Sequence, residues 1–234
     1  MNFSRLIQAL LSLFFSSEKK PPVQQHHHVS ASHSQTKPAG SKKKPASLQT
    51  ISARYEEELM NRTFHYTLQD ARGRREKVQL IFEPGNFCHL FSIASIADKI
   101  CEDPGEYSGM QGWKNIKNGK ITLAALQKMD QEDFEFYQQE FCLFDELLQT
   151  IRNPRVVRYD PKKVPGSRLK ADLLFYGQFQ GQVIHLALSK DQDGTYFPRS
   201  FFVRQEKQDR AHPTKYIEPM EKLKVIKQMS IKKA

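Results

Sequence analysis

Residues 168–204 read RLKADLLFYGQFQGQVIHLALSKDQDGTYFPRSFFVR. Within this stretch, apolar and polar side chains alternate in three runs, at 168–176, 183–189 and 195–204. A period of two is typical of β-strands, and turn residues such as Gly and Asp separate the runs. Short turns of this kind join antiparallel neighbours. The stretch therefore predicts an antiparallel meander, with Pro198 at an edge or a bend because proline cannot donate to a strand ladder.

The same alternation occurs earlier in the chain. It marks residues 64–68 and 78–82 on either side of a turn at 70–75, which predicts a β-hairpin, and residues 155–159, which predict a further strand.

Between these strands, apolar residues recur at helical spacing. The spacing predicts helices over 48–59, 87–100, 122–129 and 131–152. A last helix is predicted after Pro213, with these residues facing inward: Ile217, Met220, Leu223 and Ile226. We therefore expect an α+β fold in which helices pack on one face of an antiparallel sheet.

The chain divides into three segments by composition. Residues 1–16 have the pattern of an amphipathic helix, residues 17–47 that of a disordered basic linker, and residues 48–230 that of a single α+β domain. A secretory signal is disfavoured because Gln8 interrupts the apolar run and no small-residue cleavage site follows. Since a membrane span needs about 20 apolar residues, we predict no transmembrane span, and a weak membrane-surface contact through the first segment is an alternative to docking on a partner.

The net charge of +10 is concentrated at the ends of the chain. Residues 17–48 carry six Lys and one Glu, and residues 216–234 carry five Lys and two Glu. The body of the domain is nearly neutral, so it is not expected to coat DNA nonspecifically, although a local basic cleft is compatible with this balance.

Three cysteines are present, without the close paired spacing of zinc ligands or of a redox dithiol. This pattern favours free thiols in a reducing compartment, and we predict a cytoplasmic protein. No phosphate-binding loop, dinucleotide fingerprint, metalloprotease pair or kinase motif occurs, and the His26–His28 run lacks fixed geometry. We therefore predict no cofactor and no bound metal ion.

His89 is the first candidate site residue. It follows residues 84–88 at the start of a predicted helix, where Asn86 is a suitable cap and free backbone N–H groups with the helix dipole can receive a phosphate. A capping or packing role for His89 is the alternative. His185 lies between apolar neighbours and is interpreted as a buried core histidine.

Two further groups of candidates lie on the predicted strands. Lys170 and Asp172 share one strand face, where they form either part of a site or a structural ion pair. Arg199 and Ser200 stand among aromatic residues, a combination that can grip phosphate and stack bases, unless Arg199 only covers the rim of the core.

In their order and spacing, NFCHL at 86–90, KAD at 170–172 and FPRSFF at 197–202 resemble motifs of the phage-associated nucleases related to barnase, EndoU, colicins and RelE, known as PBECR. The resemblance covers about residues 76–206. It implies metal-independent RNA cleavage, a phage, mobile-element or toxin context, and an immunity or antitoxin protein as partner. The family pattern favours a glycine shortly after the His-Leu pair, where this chain has Phe91 and Ser92.

The resemblance also implies roles for individual residues. His89 would act as acid or base, Arg199 and Lys170 would hold the phosphate, Ser200 would orient it, and Asp172 would position Lys170. Two alternatives stay open: a non-catalytic module that binds nucleic acid or protein, and an accessory protein at the membrane surface.

Overall fold

The structure, a computed structural model, describes residues 45–98, 100–101, 103–205 and 214–233. The predicted N-terminal helix and all but the last residues of the predicted linker lie outside this part of the chain. Within it, seven α-helices accompany seven β-strands. The strands form a closed barrel.

The barrel strands follow the order β1-β2-β6-β5-β4-β3-β7, and β7 pairs back onto β1. All neighbours are antiparallel except β2 and β6. The bounds are β1 Arg62–Gln69, β2 Arg75–Ile81, β3 Arg155–Arg158, β4 Leu173–Phe179, β5 Gln182–Lys190, β6 Tyr196–Gln205 and β7 Glu221–Lys232. The predicted hairpin and meander are confirmed. The sheet is mostly antiparallel as expected, but it closes on itself, and the placement of the helices on one face stays a prediction.

The prediction of a helix after Pro213 is wrong, because the C-terminal segment forms strand β7. This strand gains hydrogen-bonding neighbours on both sides, β1 and β3, which local spacing cannot reveal. Ile217 and Met220 precede the strand and are buried, Leu223 is also buried, and Ile226 is exposed. Two of these residues thus lie in the segment before β7 and two lie in β7 itself, so their spacing of three residues does not mark one face of a helix.

Of the helices predicted over 48–59, 87–100, 122–129 and 131–152, the first and third are confirmed and the other two are interrupted. Seven α-helices are present in the described residues. Their bounds are α1 Leu48–Tyr55, which continues as a π-helical turn over Glu56–Met60, α2 Phe87–Leu90, α3 Ile93–Ala97, α4 Gly109–Lys117, α5 Leu123–Met129, α6 Gln131–Cys142 and α7 Phe144–Arg152. The helix expected over 87–100 is interrupted at Ser92, whose φ of 53° lies in the left-handed region. The helix expected over 131–152 is interrupted at Leu143. Helix α4 was not predicted.

Aromatic side chains join the helices to the barrel. Tyr55 of α1 contacts Phe82 and Phe87 edge to face, with ring centroids 5.9 and 5.1 Å apart. Phe91 contacts Phe201 of β6 at 5.9 Å. Helix α7 packs against β4 and β5, while α2 and α6 pack against β6. These contacts fix the helices that carry the candidate site relative to β6.

A second cluster of buried residues includes Val183 and Ala187 of β5 together with Tyr216 and Ile217. His185 is fully buried beside it and stacks on Phe202 with ring centroids 4.5 Å apart. Burial and the nearby Arg204 lower the pKa of His185 to about 3. The predicted burial of His185 in the core is confirmed.

Strand β6 contains a β-bulge at the predicted bend. Leu188 of β5 pairs with Pro198, but Ala187 pairs with Ser200, so Arg199 is the extra residue. The bulge shifts the alternation of the strand by one position. As a result Pro198 and Phe201 are both buried, while the two residues between them are partly exposed.

The barrel closes through one backbone pair and a polar network. Leu80 and Tyr196 are the only residues paired between β2 and β6 in the described chain. The Tyr196 hydroxyl donates to Glu76 Oε1 at 2.7 Å, and Arg158 donates to Glu76 Oε2 at 2.8 Å. Arg158 also contacts Glu221 at 3.3 Å. This network connects β2, β6, β3 and β7 at the seam.

Replacing Tyr196 with Phe is expected to lower the free energy of unfolding by about 1–3 kcal/mol, the value of a hydrogen bond to a charged group. Urea denaturation monitored by circular dichroism measures the change. Tyr176→Phe is the matched control, because the Tyr176 hydroxyl makes no hydrogen bond to any part of the chain that the structure describes. Equal stability of the two variants would contradict a role for the Tyr196 hydroxyl in closure.

Candidate active site

A polar cleft of about 370 Å³ lies between the α2–α3 segment, α6, a loop at 166–169 and the C-terminal half of β6. Polar and charged side chains converge on it from separate parts of the chain: His89, Ser92, Glu140, Arg168, Ser200 and Arg204. Concave sites in which a few polar groups converge are typical of ligand binding and catalysis. We therefore take this cleft as the candidate active site.

His89 reaches the cleft because the chain turns sharply after β2. A 3₁₀ turn at 84–86 precedes α2, and the Asn86 side-chain oxygen accepts a hydrogen bond from the Glu83 backbone N–H at 2.8 Å. Asn86 thus closes this turn and does not cap α2 as predicted. A Cβ atom on Gly112 of α4 would lie 2.6 Å from Cys88 Sγ, so the close contact of α4 with α2 requires glycine there.

The helix that carries His89 has only four residues. Because a macrodipole needs several aligned peptide units, α2 provides little of the phosphate-attracting field expected from a long helix. Positive charge instead reaches the cleft through the guanidinium groups of Arg168 and Arg204.

His89 and Arg199 interact electrostatically. The pKa of His89 is lowered below its usual value of 6.5, first by desolvation of the ring and second by the Arg199 guanidinium. The residue keeps an exposed surface. A lowered pKa keeps the imidazole neutral near pH 7, the form that can accept a proton.

Ser200 lies in the same cleft as His89, directly after the bulged Arg199. The fold therefore brings three of the predicted site residues together: His89, Arg199 and Ser200. They come from α2 and β6, which pack against each other. Arg199 is itself not among the residues that line the cleft, and its link to the site is the electrostatic interaction with His89.

Lys170 and Asp172 do not line the cleft either and lie beside β5. Asp172 accepts a hydrogen bond from the Lys190 backbone N–H at 2.8 Å, and the Lys170 carbonyl accepts one from Ser189 Oγ at 3.2 Å. Lys170 and Asp172 form no ion pair with each other among the residues described. Strand β4 begins only at Leu173, so they do not share a strand face as predicted. Their contacts attach the preceding loop to β5.

Glu140 is a candidate site residue that was not predicted from the sequence, and it is only 4 % exposed. Its carboxyl is hydrogen-bonded to Ser92, and burial raises its pKa well above the usual value, since Ser92 and Arg204 offset the desolvation only in part. The signal was present: Glu140 stands three residues after Tyr137 and four before Phe144, on the apolar face of the predicted helix. A carboxyl group at such a position is unusual and marks a candidate functional group.

The described residues contain no group of three or more His, Cys, Asp or Glu side chains placed to hold a metal ion. Nor does this part of the chain contain a helix with the length and hydrophobicity needed to cross a membrane.

The domain that contains this cleft matches a nuclease family over almost its whole length. The chain belongs to the family described as phage-Barnase-EndoU-ColicinE5/D-RelE like nuclease4 (PBECR4), whose model matches residues 47–234. The resemblance found at residues 76–206 is therefore confirmed and extends over the whole domain. No curated protein and no solved structure matches the chain.

Replacing Arg199 with Gln is expected to raise the pKa of His89, because the variant lacks the charge that disfavours the imidazolium ion. Titration of the His89 ring signals by NMR between pH 4 and pH 8 measures the shift. Arg168→Gln serves as the control, since Arg168 lines the same cleft but is not among the groups that shift His89. An unchanged His89 titration in the Arg199 variant would contradict the electrostatic coupling.

Proposed function

We propose that this nuclease is a metal-independent endoribonuclease that acts in the cleft of His89. The main support is the juxtaposition of a neutral imidazole, a guanidinium and a hydroxyl from His89, Arg199 and Ser200. Attack of a ribose hydroxyl on the adjacent phosphate requires a base, a cation and a hydrogen-bond donor that orients the phosphate. The three side chains can provide these groups.

In the proposed reaction the ribose 2′-oxygen attacks the adjacent phosphorus, and the bond from phosphorus to the 5′-oxygen of the next nucleotide breaks. Neutral His89 accepts the 2′-hydroxyl proton, a role that its lowered pKa favours. Arg199 stabilises the negative charge that develops on the phosphoryl oxygens, and Ser200 donates a hydrogen bond to one of them. A proton from solvent completes the 5′-hydroxyl, and the other product ends in a 2′,3′-cyclic phosphate.

For Lys170 and Asp172 we propose an indirect role. Through their contacts with β5 they hold the loop whose residues Arg168 and Leu169 line the cleft. In this proposal Lys170 supports the wall of the cleft and does not bind the phosphate directly.

The biological setting of the activity belongs to this proposal as well. Membership of a phage-related nuclease family supports a phage, mobile-element or toxin context and an immunity or antitoxin partner. Cys88 and Cys101 are not disulfide-bonded, which supports action in a reducing compartment such as the cytoplasm. Membrane-surface contact by residues 1–16 stays a prediction.

Cleavage of mixed RNA by the full chain in excess chelator tests the proposal. We expect cleavage to products with 2′,3′-cyclic phosphate ends, detected by gel electrophoresis and mass spectrometry. His89→Ala should slow it about 100- to 10,000-fold, since it removes the general base. Arg199→Ala should slow it about 100- to 1,000-fold, as loss of one charge-stabilising donor does. Lys170→Ala is the control and should retain most of the activity.

Each contrary result has a definite meaning. Full activity of folded His89→Ala would remove His89 from the mechanism, and loss of activity in Lys170→Ala alone would return Lys170 to the reacting centre. Binding of RNA without cleavage under any condition would favour the non-catalytic binding module. Equal cleavage of DNA would exclude attack by a 2′-hydroxyl.

A further inference from the structure

One wall of the cleft is formed by α6, and the proposed reaction uses none of its side chains. Phe136, Tyr137 and Glu140 of this helix all line the cleft. Phe136 is 62 % exposed, an unusual exposure for a phenylalanine, and its ring meets Tyr137 edge to face at 4.9 Å. An exposed aromatic ring at the rim of a nuclease cleft provides a flat apolar surface on which a planar ligand can stack.

The second observation is the Glu140 carboxyl group. One of its oxygens, Oε2, is buried and has no hydrogen-bond partner in the part of the chain that the structure describes. Leaving a buried polar atom unsatisfied is unfavourable, so such an atom in a cleft indicates a polar group of a ligand as its missing partner. Ser92 interacts with the same carboxyl group.

Phe136 and Glu140 are four residues apart on the same helix. Side chains at this spacing are neighbours on the helix surface, with Cβ atoms about 5–6 Å apart. That separation matches the width of one nucleobase, so a ring stacked on Phe136 can direct its polar edge towards Glu140. Arg204, which also lines the cleft, lies over the Phe202 ring at 5.5 Å from its centroid and supplies positive charge nearby for a phosphate.

We propose that α6 forms a nucleobase-binding subsite for single-stranded RNA, in which Phe136 stacks on one base and Glu140 hydrogen-bonds to the polar edge of that base. This inference rests on the proposed function, because the bound base belongs to the strand that is cleaved beside His89. Duplex RNA does not fit this mode, since its bases are stacked and paired with one another.

The protonation state of Glu140 defines a sharp substitution test. Burial raises the pKa of Glu140 and so favours the protonated carboxyl group, a form that offers one donor and one acceptor to a base edge. A glutamine side chain also offers both and has nearly the same shape, whereas leucine offers neither. Around the carboxyl group the cleft also holds Arg204, Arg168, His89, Tyr137 and Tyr216, all of which these substitutions leave in place.

The test measures binding of the full chain to 2′-O-methyl hexamers of A, C, G or U, which lack the attacking hydroxyl proton and cannot be cleaved. A fully abasic hexamer with the same phosphates is the comparison, and fluorescence anisotropy gives the Kd. We expect at least one base-bearing hexamer to bind about 5- to 150-fold more tightly than the abasic one, as stacking of one base provides.

Four variants locate the interaction. Phe136→Ala should abolish most of the difference between base-bearing and abasic hexamers, and Phe136→Trp should preserve it. Glu140→Leu should weaken only the base-bearing hexamers, and Glu140→Gln should bind like the wild type. Ile231→Ala is the matched control, because Ile231 is 52 % exposed on β7 and does not line the cleft.

Equal binding of abasic and base-bearing hexamers by the wild type would overturn the subsite, whether or not RNA is cleaved. Conversely, base discrimination that depends on Phe136 would uphold the subsite even if the wild type cleaves no RNA, a result that rejects only the proposed reaction. If Glu140→Leu binds the base-bearing hexamers as tightly as the wild type does, the role of Glu140 as a base contact is overturned.

Discussion

Closure of the barrel at Tyr196 is the constraint on which the rest of the structure depends. Its backbone forms the single pair between β2 and β6, and its hydroxyl binds Glu76, which Arg158 holds from β3. Because β6 is fixed beside the chain that leaves β2, the bulged segment at 198–200 lies next to α2. The electrostatic contact between His89 and Arg199 is therefore a consequence of how the sheet closes.

The elements of the fold could be predicted where local spacing and burial agree. The hairpin of β1 and β2 and the meander from β4 to β6 alternate clearly, and the structure contains them. The prediction failed where distant contacts decide the conformation. Strand β7 takes its hydrogen bonds from β1 and β3, both remote in sequence, and the left-handed Ser92 divides a segment whose apolar spacing fits one continuous helix.

The candidate site was predictable in part, for a related reason. His89, Arg199 and Ser200 stand in short motifs that carry a family resemblance, and the chain belongs to that family. Lys170 and Asp172 also stand in such a motif, but the fold places them beside β5 and away from the cleft. Glu140 lies outside all the motifs, and its isolation from solvent results from packing of α6 against β6, which no local pattern specifies.

The narrow seam between β2 and β6 makes the spacing of the candidate site residues depend on contacts outside the sheet. His89 follows β2 and Arg199 belongs to β6, and among the described residues one backbone pair and the hydrogen bond from Tyr196 to Glu76 join these two strands. Local openings that break few hydrogen bonds require much less free energy than global unfolding. Opening of the seam alone would still leave Phe91 packed on Phe201, so the aromatic contact of the α2 segment with β6 preserves the approach of His89 to Arg199 where the strand pairing is narrow.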